Sequence, residues 1–475
     1  MKVRGLLQRI EELTRPVDDA TRRSMEERWL ELPEAVRTPS QAIGRHGVGC
    51  EGTHGVFPRC NFACTPCYHS ADANQVRVDG EHTLQEVEAQ MNFLEQHRGP
   101  RAHAQLIGGE VSLLSPEDHA SALSMMRSHG REPMSFTHGD IDYDYLKKVA
   151  LDAHGKARFK RISFAGHFDT TMRGRRGLRT PTSEAELNPY RQRFCEYFER
   201  LKKETGTSYY LAHNMTITPD NVGQIADVLR DCSSMGFSMF SFQPAAYIGN
   251  DKRWKGAYRE LSADDVWAEM ERGVGSRLVY KAIQVGDERC NRTAWGFYVG
   301  STWHSILDDR DPRDMEARDA FYRYLGGVHF NAPLPLLALR LGRIALSNPK
   351  LLLMAFRWVF RTVHRVGGVR TLLKNKVRPM TFVMHRFMDA AQVNPAWELM
   401  EQGIVSDDPA IAEVQERLKA CSYAMAHPET GRVVPACVQH GVLDPQENLA
   451  LKELLPLPRR RERTSPPDIV TTARG

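Results

Sequence analysis

Between residues 46 and 250 short apolar, β-branched or aromatic runs alternate with longer charged segments of helical period, and nothing else in the chain constrains its fold as strongly. The short runs fall at residues 54–58, 104–107, 134–137, 161–165, 209–218 and 238–242; helix-period segments at 84–96, 116–128, 142–153, 189–204 and 221–235 lie between them. Repeated strand-helix units predict an α/β fold, a partial or full (β/α) barrel of parallel strands, which gathers functional residues at the C-terminal strand ends. A helical extension over residues 1–45 precedes this core of residues 46–260. A linker (261–330), a basic amphipathic helical region (331–388), a Cys-containing unit (389–455) and a basic tail (456–475) of disordered composition follow it.

A net charge of +5 from 64 basic and 59 acidic residues is too mild to argue for nucleic acid as a partner. The first residues mix charges at helical spacing without the apolar core of a secretory signal, and no uncharged apolar run reaches the roughly 20 residues of a membrane span. The expectation is a cytoplasmic protein. In that reducing setting nine cysteines, mostly isolated or in one tight group, point to metal ligation and buried thiols, not to disulfides.

The tight group is RCNFACTPCY, with Cys60, Cys64 and Cys67 at CxxxCxxC spacing just after the first predicted strand. Soft thiolates suit iron-sulfur chemistry, and three sulfurs around a four-iron cubane leave one iron open to an outside ligand. A structural zinc site is the alternative. It wants four ligands, usually as two pairs, and the nearest fourth candidates, His69 and Cys50, make no finger spacing. The segment LIGGE closes the second predicted strand, where Gly108 and Gly109 let backbone approach a ligand and the Glu110 carboxylate can accept hydrogen bonds from an ammonium group.

With these motifs in this order the chain resembles the radical S-adenosylmethionine (SAM) superfamily, whose signature is CxxxCxxC after the first barrel strand and GGE after the second. The resemblance implies that Cys60, Cys64 and Cys67 bind a 4Fe-4S cluster whose open iron chelates SAM, and that Gly108, Gly109 and Glu110 hold the SAM amino group. It implies reductive cleavage of SAM to a 5'-deoxyadenosyl radical that abstracts hydrogen from an unactivated carbon, with ferredoxin or flavodoxin as electron donor. Ser163 and Asp169 at the end of the fourth predicted strand, Asn214 in the fifth and Gln243 in the sixth match positions from which the family reaches the ribose or carboxylate of SAM. The alternative for each is a polar residue satisfied within the fold. The chain departs from the family pattern at Pro66, where an aromatic residue usually precedes the third cysteine; here Tyr68 follows it. Arg173, Arg175 and Arg176 offer either a carboxylate or phosphate site or an exposed basic loop.

Outside the predicted barrel, Cys290, Cys421 and Cys437 either supply a second iron-sulfur cluster, as family extensions do, or are isolated buried thiols; Cys195 and Cys232 read as core. Residues 331–388 hold eleven Lys or Arg and no Asp or Glu. Within them Asn348 and Pro349 open a helix that sets Lys350, Arg357, Arg361 and Arg365 on one narrow face, with residues 351–353, Phe356, residues 358–360 and Val363 over the rest. Over residues 349–366 such a helix either lies in a lipid headgroup layer, holding the protein at the membrane periphery, or is a core helix with a solvated basic edge. The segment HRFMDAAQVNP and the unit holding Cys421 and Cys437 resemble radical SAM enzymes that join lipid chains in tetraether synthesis, which implies a lipid or isoprenoid substrate. A peptide-modifying or cofactor-building radical SAM enzyme and a non-catalytic zinc or iron-sulfur module are the competing functions.

Overall fold

The computed structural model describes residue 5 and residues 10–67, 72–100, 102–247, 258, 261–330 and 332–458. Six parallel strands follow one another in space as in sequence: β1 (Cys50–Gly52), β2 (Ala102–Leu106), β3 (Arg131–Thr137), β4 (Arg161–His167), β5 (Ser208–Ile217) and β6 (Met239–Pro244). They curl into a half-barrel, as the alternating pattern predicts. Five more strands come from the C-terminal half: β7 (Asn291–Val299), β8 (Thr302–Ser305), β9 (Val377–His385), β10 (Tyr423–His427) and β11 (Arg432–Pro435). The order across the sheet is β11, β10, β1, β2, β3, β4, β5, β6, β9, β7, β8. β10 pairs parallel with β1 and β9 parallel with β6, so residues well past 260 lengthen the half-barrel on both flanks.

Local chemistry places the helices between the strands. Asp79 accepts a hydrogen bond from the His82 amide and starts helix Gly80–Arg98; Ser115 caps helix Pro116–Ser128, whose first position is proline. Helix Asn188–Thr205 stops at Gly206, which takes the left-handed φ of 75° that glycine tolerates best. Their inner faces cover a core in which Phe164, Phe168, Phe194, Phe198, Phe240, Phe242 and Phe382 are all within one per cent of complete burial, and Cys195 and Cys232 lie in it.

The first strand differs from its sequence assignment. Residues 54–58, buried apart from half-buried Gly55, form no strand, and β1 lies just before them. Their backbone is satisfied by side chains of helix Gly80–Arg98: Gln90 bonds both the amide and the carbonyl of His54, His82 bonds the Gly55 carbonyl, and the Thr83 hydroxyl donates to the Val56 carbonyl. Apolar content alone does not reveal which partner a backbone will take.

The basic region is also not helical throughout. Helices Leu334–Ser347, Pro349–Arg365 and Val369–Lys374 occupy its first part, and β9 its last. In β9 the residues Met380, Phe382 and Met384 are buried at a period of two, the strand signature that the charge pattern masks. Helices Ala390–Glu401 and Pro409–Lys419 pack with Met425 and Val438 in a second apolar cluster that reaches Ile107, just past β2, and Ala246, just past β6. The C-terminal unit thereby touches the strand-end edge beside the turns after β2 and β6.

Candidate functional site

The cysteine loop is sewn to three turns at the C-terminal strand ends. The Gly109 amide donates to the Phe57 carbonyl at 2.8 Å and the Glu110 amide to the Arg59 carbonyl at 2.9 Å, joining the loop to the turn after β2. The Ala63 amide donates to the Arg173 carbonyl at 2.9 Å and the Thr65 amide to the Thr171 carbonyl at 3.1 Å, joining it to the turn after β4. Between these, Phe62 is buried and stacks on His138 after β3, ring centroids 3.9 Å apart. Asn74 holds the start of the loop by accepting from the Cys60 amide at 2.9 Å.

This stitching explains both glycines of the GGE segment. A Cβ on Gly109 would lie 2.0 Å from the Arg59 carbonyl oxygen, and one on Gly108 would lie 2.7 Å from the Phe57 ring. The close approach that glycine permits is to the entering cysteine loop itself.

Burial, then the Glu110 charge, pushes the Cys60 thiol up to about 12, against a hydrogen bond from the Phe62 amide. Burial also raises Cys64 well above the ordinary thiol range, followed by the neighbouring Cys67, Asp169 and Cys60. These groups keep their protons unless a cation compensates them, which is how a metal-binding thiol set behaves before loading. Among the described residues no three His, Cys, Asp or Glu side chains stand gathered about one point as ligands of a single ion. Tyr68 and His69 lie outside the described residues.

Glu110 is completely buried and largely engaged. Its Oε1 accepts from the Ser112 amide, the Ser112 hydroxyl and the Thr137 hydroxyl at 3.0, 2.6 and 2.7 Å; its Oε2 accepts from the His138 amide at 2.7 Å. Asp169 is equally buried. Burial opposes its charge, but His167, with its ring 2.6 Å away, then the Thr171 hydroxyl and the Thr216 amide hold the carboxyl below its usual range.

Asn214 and Gln243 stand at neighbouring levels near the same edge, Asn214 opposite His167 and Gln243 opposite Thr216. Ser163 does not join them. It is the third residue of β4, opposite Tyr210 and four positions before the strand ends, because β4 runs two residues beyond its predicted length. Arg175 is no exposed cation either: it is buried, donates to the His138 and His167 carbonyls, and lies over Phe62, Phe168 and Tyr190. Arg176 pairs with Asp140 and Asp142, and Arg173 donates to the Thr170 and Met172 carbonyls.

Cys290, Cys421 and Cys437 each have a protein partner. Cys290 Sγ accepts from Arg417 at 3.2 Å, Cys437 Sγ accepts from the Met388 amide at 3.4 Å, and the Cys421 thiol donates to the Tyr423 carbonyl at 2.9 Å. Burial raises all three, Cys290 to about 11, and neighbouring thiols add to the effect at Cys290 and Cys437.

One constellation escaped the sequence. His54 beyond β1 and His427 at the end of β10 stack at 4.1 Å, and below them Gln439, His440, Asp444 and Glu447 form a connected polar network. His440, Asp444 and Glu447 recur at helical spacing in HGVLDPQE, the one signal that could have marked them. A cavity of about 10 Å³, room for one water, lies between His54, Pro58, Gly108, His440 and Glu447, so the network abuts the GGE turn.

No protein-family model matches this chain, and no curated protein does. Among solved structures it is similar to native anSMEcpe with bound AdoMet and Cp18Cys peptide, at 14% identity over 46% of this chain and 57% of that one, with a TM-score of 0.30. A structure of native anSMEcpe with bound AdoMet gives 14% identity, 46% and 58% coverage and a TM-score of 0.31. The chain thus spans a little over half the length of the proteins in these structures. The case for function rests on its own residues.

Proposed function

We propose that this chain is a radical SAM enzyme that abstracts hydrogen from an unactivated carbon of a lipid or isoprenoid. The observation that carries the proposal is the CxxxCxxC loop fastened by backbone hydrogen bonds to the GGE turn and to the turn after β4, at the C-terminal edge of a curled parallel sheet. The donor set fits the group: three half-buried thiols stand on one loop, and burial holds those of Cys60 and Cys64 protonated until a cation compensates them.

Cys60, Cys64 and Cys67 would hold a 4Fe-4S cluster, which with SAM bound supplies one-electron cleavage of SAM to a carbon radical. The chain's own residues position and shield. Glu110 Oε2, which accepts one hydrogen bond against three at Oε1, would take the SAM ammonium, while Oε1 fixes the turn through Ser112 and Thr137. Asp169, held ionised, braces the turn after β4. The second apolar cluster reaches Ile107 and Ala246, just past β2 and β6, and would wall that side of the site from solvent. A low-potential donor, ferredoxin or flavodoxin, would deliver the electron.

The test is anaerobic purification, reconstitution with iron and sulfide, and electron paramagnetic resonance of the dithionite-reduced protein with and without SAM, beside a Cys60→Ala, Cys64→Ala, Cys67→Ala variant. A four-iron signal that shifts with SAM and disappears in the variant supports the proposal. Tight zinc with no response to SAM would establish the non-catalytic module instead.

A further inference from the structure

Helix Pro349–Arg365 turns its apolar side outward. Trp358 donates to the Ile306 carbonyl at 3.0 Å, and Arg361 and Arg365 bond the buried carboxylate of Asp314 at 2.7 and 2.5 Å, so this arc faces the protein. The narrow face expected to be a free cationic stripe is therefore divided. Arg361 and Arg365 anchor the helix inward, while Lys350 and Arg357 stay exposed. At about 100° per residue the opposite arc carries Leu352, Leu353, Phe356, Val359 and Phe360, every one exposed and Phe356 by 70%. None of the helix's residues is fully buried, which excludes the core-helix alternative.

The flanking helices continue this surface. Leu346, at the end of helix Leu334–Ser347, is 86% exposed, and Leu373, in helix Val369–Lys374, is 83% exposed. Lys350, Arg357, Arg370, Lys374 and Lys376 are exposed around the apolar side chains and make no ion pair with a carboxylate among the described residues. Exposed apolar side chains on three consecutive helices, among charges of one sign, mark an interaction site and not ordinary solvated surface.

We infer that the helices from Leu334 to Lys374 form a docking face for an anionic lipid bilayer, with Leu352, Phe356 and Phe360 entering the headgroup boundary while Lys350, Arg357 and Lys374 meet lipid phosphates. Charge selects this occupant. A second copy of the chain would bring like-charged rims together, whereas an anionic surface neutralises them. No helix among the described residues is long and apolar enough to cross a membrane, so the contact is peripheral and in-plane. The face does not depend on what the thiol loop binds.

Co-sedimentation of the full chain with phosphatidylcholine vesicles, alone or with about 30% phosphatidylglycerol, tests the inference. The anionic vesicles are expected to capture the protein, less so at high salt. A Phe356→Ser, Phe360→Ser variant should partition at least about tenfold less, and a Lys350→Glu, Arg357→Glu variant about tenfold less to anionic vesicles only. All four positions are exposed, so thermal melts should match the parent protein. Absence of binding to either vesicle, or equal binding by the variants, overturns the inference. So does a dimer in sedimentation velocity that the Phe356→Ser, Phe360→Ser change dissolves without any vesicle binding.

Discussion

His54 and Glu447 form a half-buried ion pair that ties the exit of β1 to the C-terminal helix Asp444–Leu454: His54 Nδ1 lies 2.6 Å from Glu447 Oε1, and His54 Nε2 lies 2.6 Å from the Ala426 carbonyl. Acceptors on both ring nitrogens require both to carry protons, so the ring is an imidazolium.

Burial alone would lower the His54 pKa, but the Glu447 carboxylate overrides it and raises the value to about 9. A raised folded-state value stabilises fully below the unfolded pKa near 6.5, and the contribution fades as pH climbs through 9. The effect is on the order of 3 kcal/mol. Urea unfolding at about pH 6 and about pH 9.5 should show this loss, and Glu447→Gln should abolish that pH dependence. An unchanged slope in the variant would rule the pair out as its source.

Glu51 and Arg131 make a second pair, bidentate at 2.9 and 3.1 Å and fully enclosed, that spans β1 and β3. Glu51→Ala strands the guanidinium and should cost about 3–5 kcal/mol, while replacing both residues with methionine should cost much less. Denaturant midpoints of the two variants against the parent protein check the order.

Gly109→Ala should separate fold from site. Its Cβ would collide with the Arg59 carbonyl oxygen, a backbone atom that moves only with the cysteine loop. Reconstituted iron per chain is expected to fall severalfold while circular dichroism stays that of the parent protein. Full iron loading would mean that the loop has slack the stitched geometry does not suggest.

The loop and the turn were legible because their chemistry is local: Cys60, Cys64, Cys67 and Gly108 to Glu110 are adjacent in sequence, and parallel strands bring such segments to one edge. What stayed hidden depends on partners distant in the chain. Residues 54–58 look like a strand until Gln90 and Thr83 take their backbone bonds, and Arg361 looks like surface charge until Asp314 claims it. His54 becomes an ion only through Glu447, nearly four hundred residues later.

The insertion of β9 beside β6 and β10 beside β1 sets an order of events during synthesis. When Pro244 at the end of β6 has left the ribosome, both flanks of the six-strand sheet still present unpaired amides and carbonyls. At roughly 5–20 residues per second, on the order of ten to thirty seconds pass before Tyr423 arrives to cover β1. Throughout that interval the nascent sheet has an open edge, and only strands from the C-terminal half of the chain close it.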